Sequence, residues 1–467
     1  MLFNSFQFAV FFVIVFTLYL LFNHKWQNRM LFVASCLFYG TWDWRFLFLM
    51  FTSISVDYFC AIRIGQSDDE KVRKRFLVLS IVVNLSILGF FKYFNFFTDS
   101  LQTFIHYLRF PFHVRFLNII LPLGISFYTF EAMSYVIDVY KRKVEPTKHY
   151  LDYALFVTYF PHLIAGPIMR AKDLLPQIAF PRTLSLTKFY EGCYLIFWGL
   201  FQKIFVADNL AKVVDPVFTS GESYHGAKIV LALYAFAFQI YCDFDGYSNI
   251  ARGLGKCMGF DIMVNFNLPY LSTNPREFWQ RWHISLSSWL RDYLYIPLGG
   301  NQRSGLITFR NIIITFLLGG LWHGANWTFV LFGAYHGLLL ILYQSLLPLL
   351  KKLSVPRAIK IIFFFHFICF GWLIFRAQSA SQLLELLKAL ILNFQFVADA
   401  GLKQMASKII FFTWVVVLVN LLQFKRNDLI TVFRLNWATK VIFYLTCFYL
   451  ILIFGVSGAK EFIYFRF

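Results

Sequence analysis

Long apolar runs follow one another along this chain, separated by short polar or basic clusters, and a run of about 18 residues suits a helix crossing ~30 Å of hydrocarbon. They fall at 2–22, 30–45, 46–62, 76–97, 116–140, 151–168, 189–211, 227–247, 306–323, 326–347, 358–375, 408–423 and 440–456. The runs are continuous rather than alternating, and lipid offers no partner to an open backbone group, so helices are predicted and a barrel is not. The fold class that follows is all-α, a polytopic transmembrane helical bundle of about eleven to thirteen membrane segments. Gly, Pro and polar residues interrupt 116–140 and 151–168, which predicts broken or re-entrant segments there. No internal repeat, low-complexity tract or Gly/Ser/Pro-rich linker divides the chain, so one membrane-embedded domain over 1–467 is expected. The first run has neither a charged leader nor a small-residue cleavage site and reads as a first span.

Composition agrees: 59% of residues are hydrophobic, 21% aromatic and 14% charged, against about 25% charged in a soluble domain. A net charge of +19 is the kind of excess that binds nucleic acid, but the cations sit in short clusters between apolar runs and not along one face. Positive-inside topology accounts for them and no nucleic-acid partner is expected: 24–29, 71–75 and 141–143 face the cytoplasm, and the N-terminus lies outside. The seven cysteines stand mostly in apolar runs without metal-type spacing and read as core packing, so no metal site is expected.

Between 272 and 310 the character changes. Arg276, Arg281, Arg291, Arg303 and Arg310 interleave with Trp279, Trp282, Trp289, Tyr293 and Tyr295. Two readings are open, a helix lying in the headgroup plane and a dock for an anionic ligand.

His24, His106, His113, His149 and His225 fall in presumed loops, whereas His162, His283, His323, His336 and His366 lie in or beside apolar segments, where an ionisable group is costly and signals function. His323 is flanked by Gly319, Gly320 and Gly324, which allow close approach, and by Trp322 and Trp327, which can wall a pocket. A water-poor interior favours neutral imidazole, the state needed to take a proton from a hydroxyl nucleophile, and it would protect a thioester from hydrolysis. His283 follows the basic patch some forty residues earlier, and spacing alone leaves contact between the two open. His336 reads as structural. Asp243 and Asp245 are a poor metal signature and read better as a helix cap or a bundle hydrogen bond, while Glu131 and Arg170 could pair inside the bundle or line a path. No Walker loop, dinucleotide fingerprint or Gly-x-Ser-x-Gly elbow is present.

Five stretches in order, LPLGISFYTFEAMSYVIDVY (121–140), YFPHLIAGPIMR (159–170), FDGYSNIARGLGKCMGF (244–260), FWQRWHISLSSWLRDYLYIPLGG (278–300) and GGLWHGANWTFVLFGAYHG (319–337), together resemble the membrane-bound O-acyltransferase family, more narrowly its bacterial alginate O-acetylation branch. The resemblance implies a bundle with a central funnel, a family core at about 110–340, His323 as the catalytic histidine and His283 as the second motif histidine. It further implies a cytoplasmic thioester donor, acetyl-CoA or an acyl-carrier protein, with no bound cofactor. The acyl group would cross a bacterial inner membrane to an exported polysaccharide such as alginate, helped by a periplasmic partner of the Ser-Gly-Asn-His (SGNH) class. Arg276, Arg281, Trp282, Arg291 and Asn326 are the expected donor-binding residues. Two rival readings are a transporter or export channel with a proton relay, and a non-catalytic scaffold for the periplasmic transferase.

Overall fold

The computed structural model describes residues 1–109, 117–219, 226–302, 304–396, 399–456, 458 and 460–463, so His113, His225 and Arg303 lie outside it. Among the described residues every regular element is helical. The chain divides into two compact units, one of Met1, Ser5–Ser185 and Met258–Ile262, the other of Leu2–Asn4, Leu186–Cys257 and Met263–Phe467.

In the first unit, α1 (Phe6–Leu21), α2 (His24–Asp43), α3 (Arg45–Gln66) and α4 (Glu70–Leu88) follow one another closely, with a π turn at Gly89–Tyr93 leading into α5 (Phe94–Tyr107). Side chains at the breaks end one helix and start the next: Ser5, Asn23 and Asp69 each accept a hydrogen bond from a first-turn amide, satisfying a donor that lipid cannot. The stretch predicted at 116–140 becomes helical only from Ile125, after Gly124 turns the chain at φ 71°, as α6 (Ile125–Tyr140). The stretch predicted at 151–168 is broken into α7 (Tyr150–Thr158) and α8 (Phe160–Leu163), followed by irregular backbone and α9 (Ala171–Ala179), and residues 153–171 are all buried. Polar groups inside this unit are tied to each other: the Asp57 carboxylate accepts from Ser80 at 2.5 Å and from Asn84 at 2.9 Å, joining α3 to α4. Arg73 donates to the Tyr140 carbonyl and Arg142 pairs with Asp68 at 2.9 Å, so the basic clusters 71–75 and 141–143 share one end of the unit.

The second unit is arranged on one long helix. α10 (Leu186–Leu200) runs through a π turn, Phe201–Ala207, into α11 (Asp208–Thr219), and both pack on α12 (Gly226–Cys257). Within its apolar stretch α12 is 72% buried by protein, against 6% for α20 (Trp437–Phe454), which marks α12 as the core and α20 as a lipid-facing helix. The segment for which a surface helix was one of two open readings forms three short pieces, α13 (Pro275–Arg281), α14 (Ile284–Leu290) and a π turn at Arg291–Tyr295. Burial explains the difference: Phe278, Trp282, Leu286 and Trp289 pack inward on both sides of a left-handed turn at His283. α15 (Gly305–His323), α16 (Trp327–Leu350), α17 (Arg357–Arg376), α18 (Ala380–Ile391) and α19 (Ala400–Arg426) complete the order before α20.

Among the described residues eight helices are long and apolar enough to cross a membrane, counting α4 through α5 as one, while α1 is apolar but only 16 residues long. The protein is a multi-pass membrane protein. Of the seven free cysteines, Cys60, Cys242, Cys257, Cys369 and Cys447 are buried, as core packing predicts, while Cys193 is exposed and Cys36 half-buried.

α15 and α16 lie unusually close, because a Cβ at Gly320 would stand 2.2 Å from the Phe329 carbonyl oxygen and one at Gly333 would stand 2.1 Å from that of Phe316. Backbone cannot retreat as a flexible side chain can. Gly333→Ala is therefore expected to cost about 1–3 kcal/mol through overpacking. A thermal unfolding midpoint in detergent equal to wild type would show that the two helices are free to separate there.

Candidate active site

His323 is the last residue of α15, where helical hydrogen bonding stops and Gly324 continues as extended backbone. Its ring is 5% exposed and surrounded by Trp322, Phe332 and Phe375, with centroids 5.2, 5.9 and 5.5 Å away. The seam between α15 and α16 brings Phe332 across, and α17 contributes Phe375.

His283 arrives by a different route, at the break between α13 and α14, with φ 44° and no exposed surface. Asn265, eighteen residues earlier, holds the break together. Its side-chain oxygen accepts from the Ser285 amide at 3.2 Å and the Ser285 hydroxyl at 2.9 Å, and its carbonyl accepts from the Ile284 amide at 2.9 Å. The same side-chain oxygen lies 3.2 Å from His283 Nδ1. Because that oxygen can only accept, Nδ1 carries the proton and Nε2 is the basic nitrogen of the neutral ring, an assignment that rests on the orientation of the Asn265 amide. The His283 ring stands edge-on to Phe244 of α12 at 4.6 Å and to Trp322 at 5.8 Å. Trp322 thus touches both imidazoles. Burial, and secondarily the charge that His323 would carry, hold the His283 pKa well below the usual histidine range.

The predicted donor-binding residues differ in exposure and in their contacts. Arg276 is exposed; Arg281 donates to the Asn267 carbonyl and pairs with Glu277 at 3.0 Å; Arg291 pairs with its neighbour Asp292 at 2.8 Å. Trp282 is 1% exposed, stacked among Phe266, Tyr270, Phe278 and Trp372. Asn326 caps α16, accepting from the Thr328 amide while its own amide donates to the Gln378 carbonyl.

The remaining polar candidates resolve into pairs. In the first unit Glu131 pairs with His162 at 3.0 Å, with both side chains buried, and Arg170 is near enough to act on its carboxyl group. In the second, Asp243 pairs with Lys203 at 2.7 Å and Asp245 accepts from Gln202 at 2.8 Å, bundle contacts of the kind the sequence suggested. His336 is packed against Trp279 and Phe332 at 5.0 and 4.6 Å, and His366 accepts from or donates to the Tyr234 hydroxyl at 2.9 Å. Among the described residues no three His, Cys, Asp or Glu side chains gather as metal ligands. Asn265, Phe244 and Phe375 were not singled out in the sequence, because a carboxamide and two phenylalanines carry no sign there of the tertiary contacts that give them their place.

Residues 143–380 match the membrane-bound O-acyltransferase family. The chain is 45% identical over 391 residues to the probable alginate O-acetylase AlgI of Pseudomonas aeruginosa, covering 81% of this chain and 72% of that protein. It is 36% identical over 397 residues to the peptidoglycan O-acetyltransferase of Helicobacter pylori, covering 79% and 74%. To the teichoic acid D-alanyltransferase of Bacillus subtilis it is 30% identical over 281 residues, covering 56% and 70%.

A histidine whose proton is disfavoured in the folded state makes folding stability complete above its ordinary pKa of about 6.5 and progressively lost as pH falls below that value. The unfolded chain binds the proton there and the folded chain does not. Between pH 7 and 5.5 the wild type should therefore lose stability with a slope of up to about 1.4 kcal/mol per pH unit from this group. His283→Asn should remove that component. Identical pH slopes for the two proteins in detergent unfolding would contradict the assignment of a proton-excluding pocket.

Proposed function

The chain belongs to the membrane-bound O-acyltransferase family, and from that premise we propose that it moves an acetyl group from a cytoplasmic thioester donor across a bacterial inner membrane for O-acetylation of an exported or cell-surface polysaccharide such as alginate. The observation that carries the reading is the meeting of His323 and His283 on either side of Trp322 in a buried aromatic enclosure. The relatives' names support the acetyl group and the polysaccharide: probable alginate O-acetylase in one case, peptidoglycan O-acetyltransferase in another.

His323 is the proposed general base and His283 the proposed assistant. His323 takes the proton of the acceptor hydroxyl, whose oxygen forms the new ester bond to the acetyl carbon as the carbon–sulfur bond breaks. The thiolate that leaves is protonated from the imidazolium, so the net change is acetyl for hydrogen on oxygen and hydrogen for acetyl on sulfur. Dry aromatic walls keep water from competing for the thioester. The proposed acceptor on the far side is a hydroxyl of a periplasmic SGNH-type transferase or of the polysaccharide itself, and the donor is acetyl-CoA or an acyl-carrier protein. Arg276, Arg281 and Arg291 are proposed to receive the donor's phosphates, with Trp282 and Asn326 shaping the site behind them.

His323→Ala, in membranes with wild-type amounts of protein, should lower polysaccharide acetylation at least 100-fold, the lower range for loss of a positioned base. Acetylation at the wild-type level would sink the assignment. Arg281→Glu should raise the KM for acetyl-CoA and leave kcat nearly unchanged if its role is uniform donor binding. An unchanged KM would remove Arg281 from the dock.

A further inference from the structure

Next to Phe244 in α12, Asp243 belongs to a cluster that the chemistry above does not use. Lys203 in the π turn after α10 contacts Asp208 at 3.0 Å and Asp243 at 2.7 Å, and all three side chains are buried. Two carboxylates share one ammonium, with Lys460 as a second cation acting on Asp208, and buried charges need further hydrogen-bond partners. Main chain from the far end of the sequence supplies them: the Lys203 ammonium also donates to the Glu461 carbonyl at 3.1 Å, and the Asp243 carboxylate accepts from the Ile463 amide at 2.7 Å. Alternate residues of one short segment are thus gripped by a cation and an anion.

The residue between them is turned inward. Phe462 is 1% exposed and its ring lies 5.3 Å from Phe244 and 5.2 Å from Tyr247, the latter stacked in turn on Phe3 at 4.4 Å. Phe244 therefore meets both Phe462, at 5.3 Å, and His283, at 4.6 Å. Phe266 meets the Phe244 ring as well, at 5.0 Å, and the helical neighbours Asp243 and Tyr247 are the residues that seat the segment.

We propose that residues 461–463 are a positioning element of the active site, latched by Lys203 and Asp243, with Phe462 pressing Phe244 against His283 so that the imidazole is held in register beside Trp322. The latch acts through Phe244 and touches no reacting atom. This inference rests on the role given to His283 above, and its test separates the two.

Hydrogen exchange of the Ile463 amide reads the latch without reference to activity, and acetyl transfer from acetyl-CoA by purified full-length protein with its acceptor reads the consequence. In the wild type the Ile463 amide should exchange slowly. Asp243→Ala should speed that exchange at least tenfold and lower kcat about ten- to hundredfold with KM for acetyl-CoA unchanged, the expected cost of a misplaced catalytic group. Asp243→Asn, which still offers an oxygen to the Ile463 amide, should restore slow exchange and most of kcat. Phe462→Ala leaves the charged cluster intact, guarding against simple misfolding, and should lower kcat alone to a similar degree. Rapid Ile463 exchange in the wild type would overturn the latch. Wild-type kcat in Phe462→Ala, or in Asp243→Ala with the amide released, would overturn the positioning role. Wild-type protein that transfers no acetyl group would remove the reading of the site and the positioning role with it, while the exchange result would still decide whether the latch exists.

Discussion

A backbone that leaves the helical conformation among lipid-facing helices must find protein partners for its amides and carbonyls, since hydrocarbon offers none. The chain after α12 leaves it for a long stretch, and the bonds that permit this are specific. Asn265 accepts from the Ile284 and Ser285 amides, the Asn267 amide donates to the Arg281 carbonyl, and the Tyr270 hydroxyl donates to the Ala237 carbonyl of α12. Without these, the left-handed turn at His283 would leave several buried donors unmatched, each at a cost of about 1–3 kcal/mol. The site's geometry therefore depends on a carboxamide that carries out no chemistry.

His323 depends on a different constraint, the close approach of α15 and α16 at Gly320 and Gly333. That contact places Phe332 over the imidazole and lets α17 deliver Phe375 from the other side. One histidine is fixed by hydrogen bonds around an irregular turn, the other by the end of a packed helix, and Trp322 is the surface on which the two arrangements meet. In the proposed chemistry this division is useful: a rigid ring at the helix end for proton transfer, and a second ring whose proton is confined to Nδ1 by Asn265.

Much of this was legible in the sequence, and for physical reasons. Lipid makes apolar run length a direct report of spans, so the all-helical bundle and its broken stretches at 116–140 and 151–168 could be read from hydropathy and from Gly124 and Pro161. The glycines around Trp322–His323 announced a close approach. The pattern of Arg and Trp between 272 and 310 was misleading, because alternating charge and aromatic residues suit a headgroup-plane helix as well as a buried, interrupted one. The inward packing of Phe278, Trp282, Leu286 and Trp289 and the hydrogen bonds that Asn265 accepts separate the two. The same limit applied to Glu131, for which Arg170 was one conceivable partner and whose hydrogen bond is to His162: several buried polar groups lie near one another there, and pairing among them is set by tertiary packing. Likewise, nothing in the local sequence of α12 connects Asp243 to Ile463, 220 residues later.

The central claim is that the enclosure around Trp322 is where the thioester and the two imidazoles come together. A structure of the protein bound to a non-hydrolysable thioether analogue of acetyl-CoA tests it most directly. The account predicts the acyl carbon beside Trp322, with His323 within hydrogen-bonding reach, about 3 Å, of the position the attacking oxygen must occupy. An analogue bound elsewhere, with the aromatic enclosure still closed around both histidines, would contradict it.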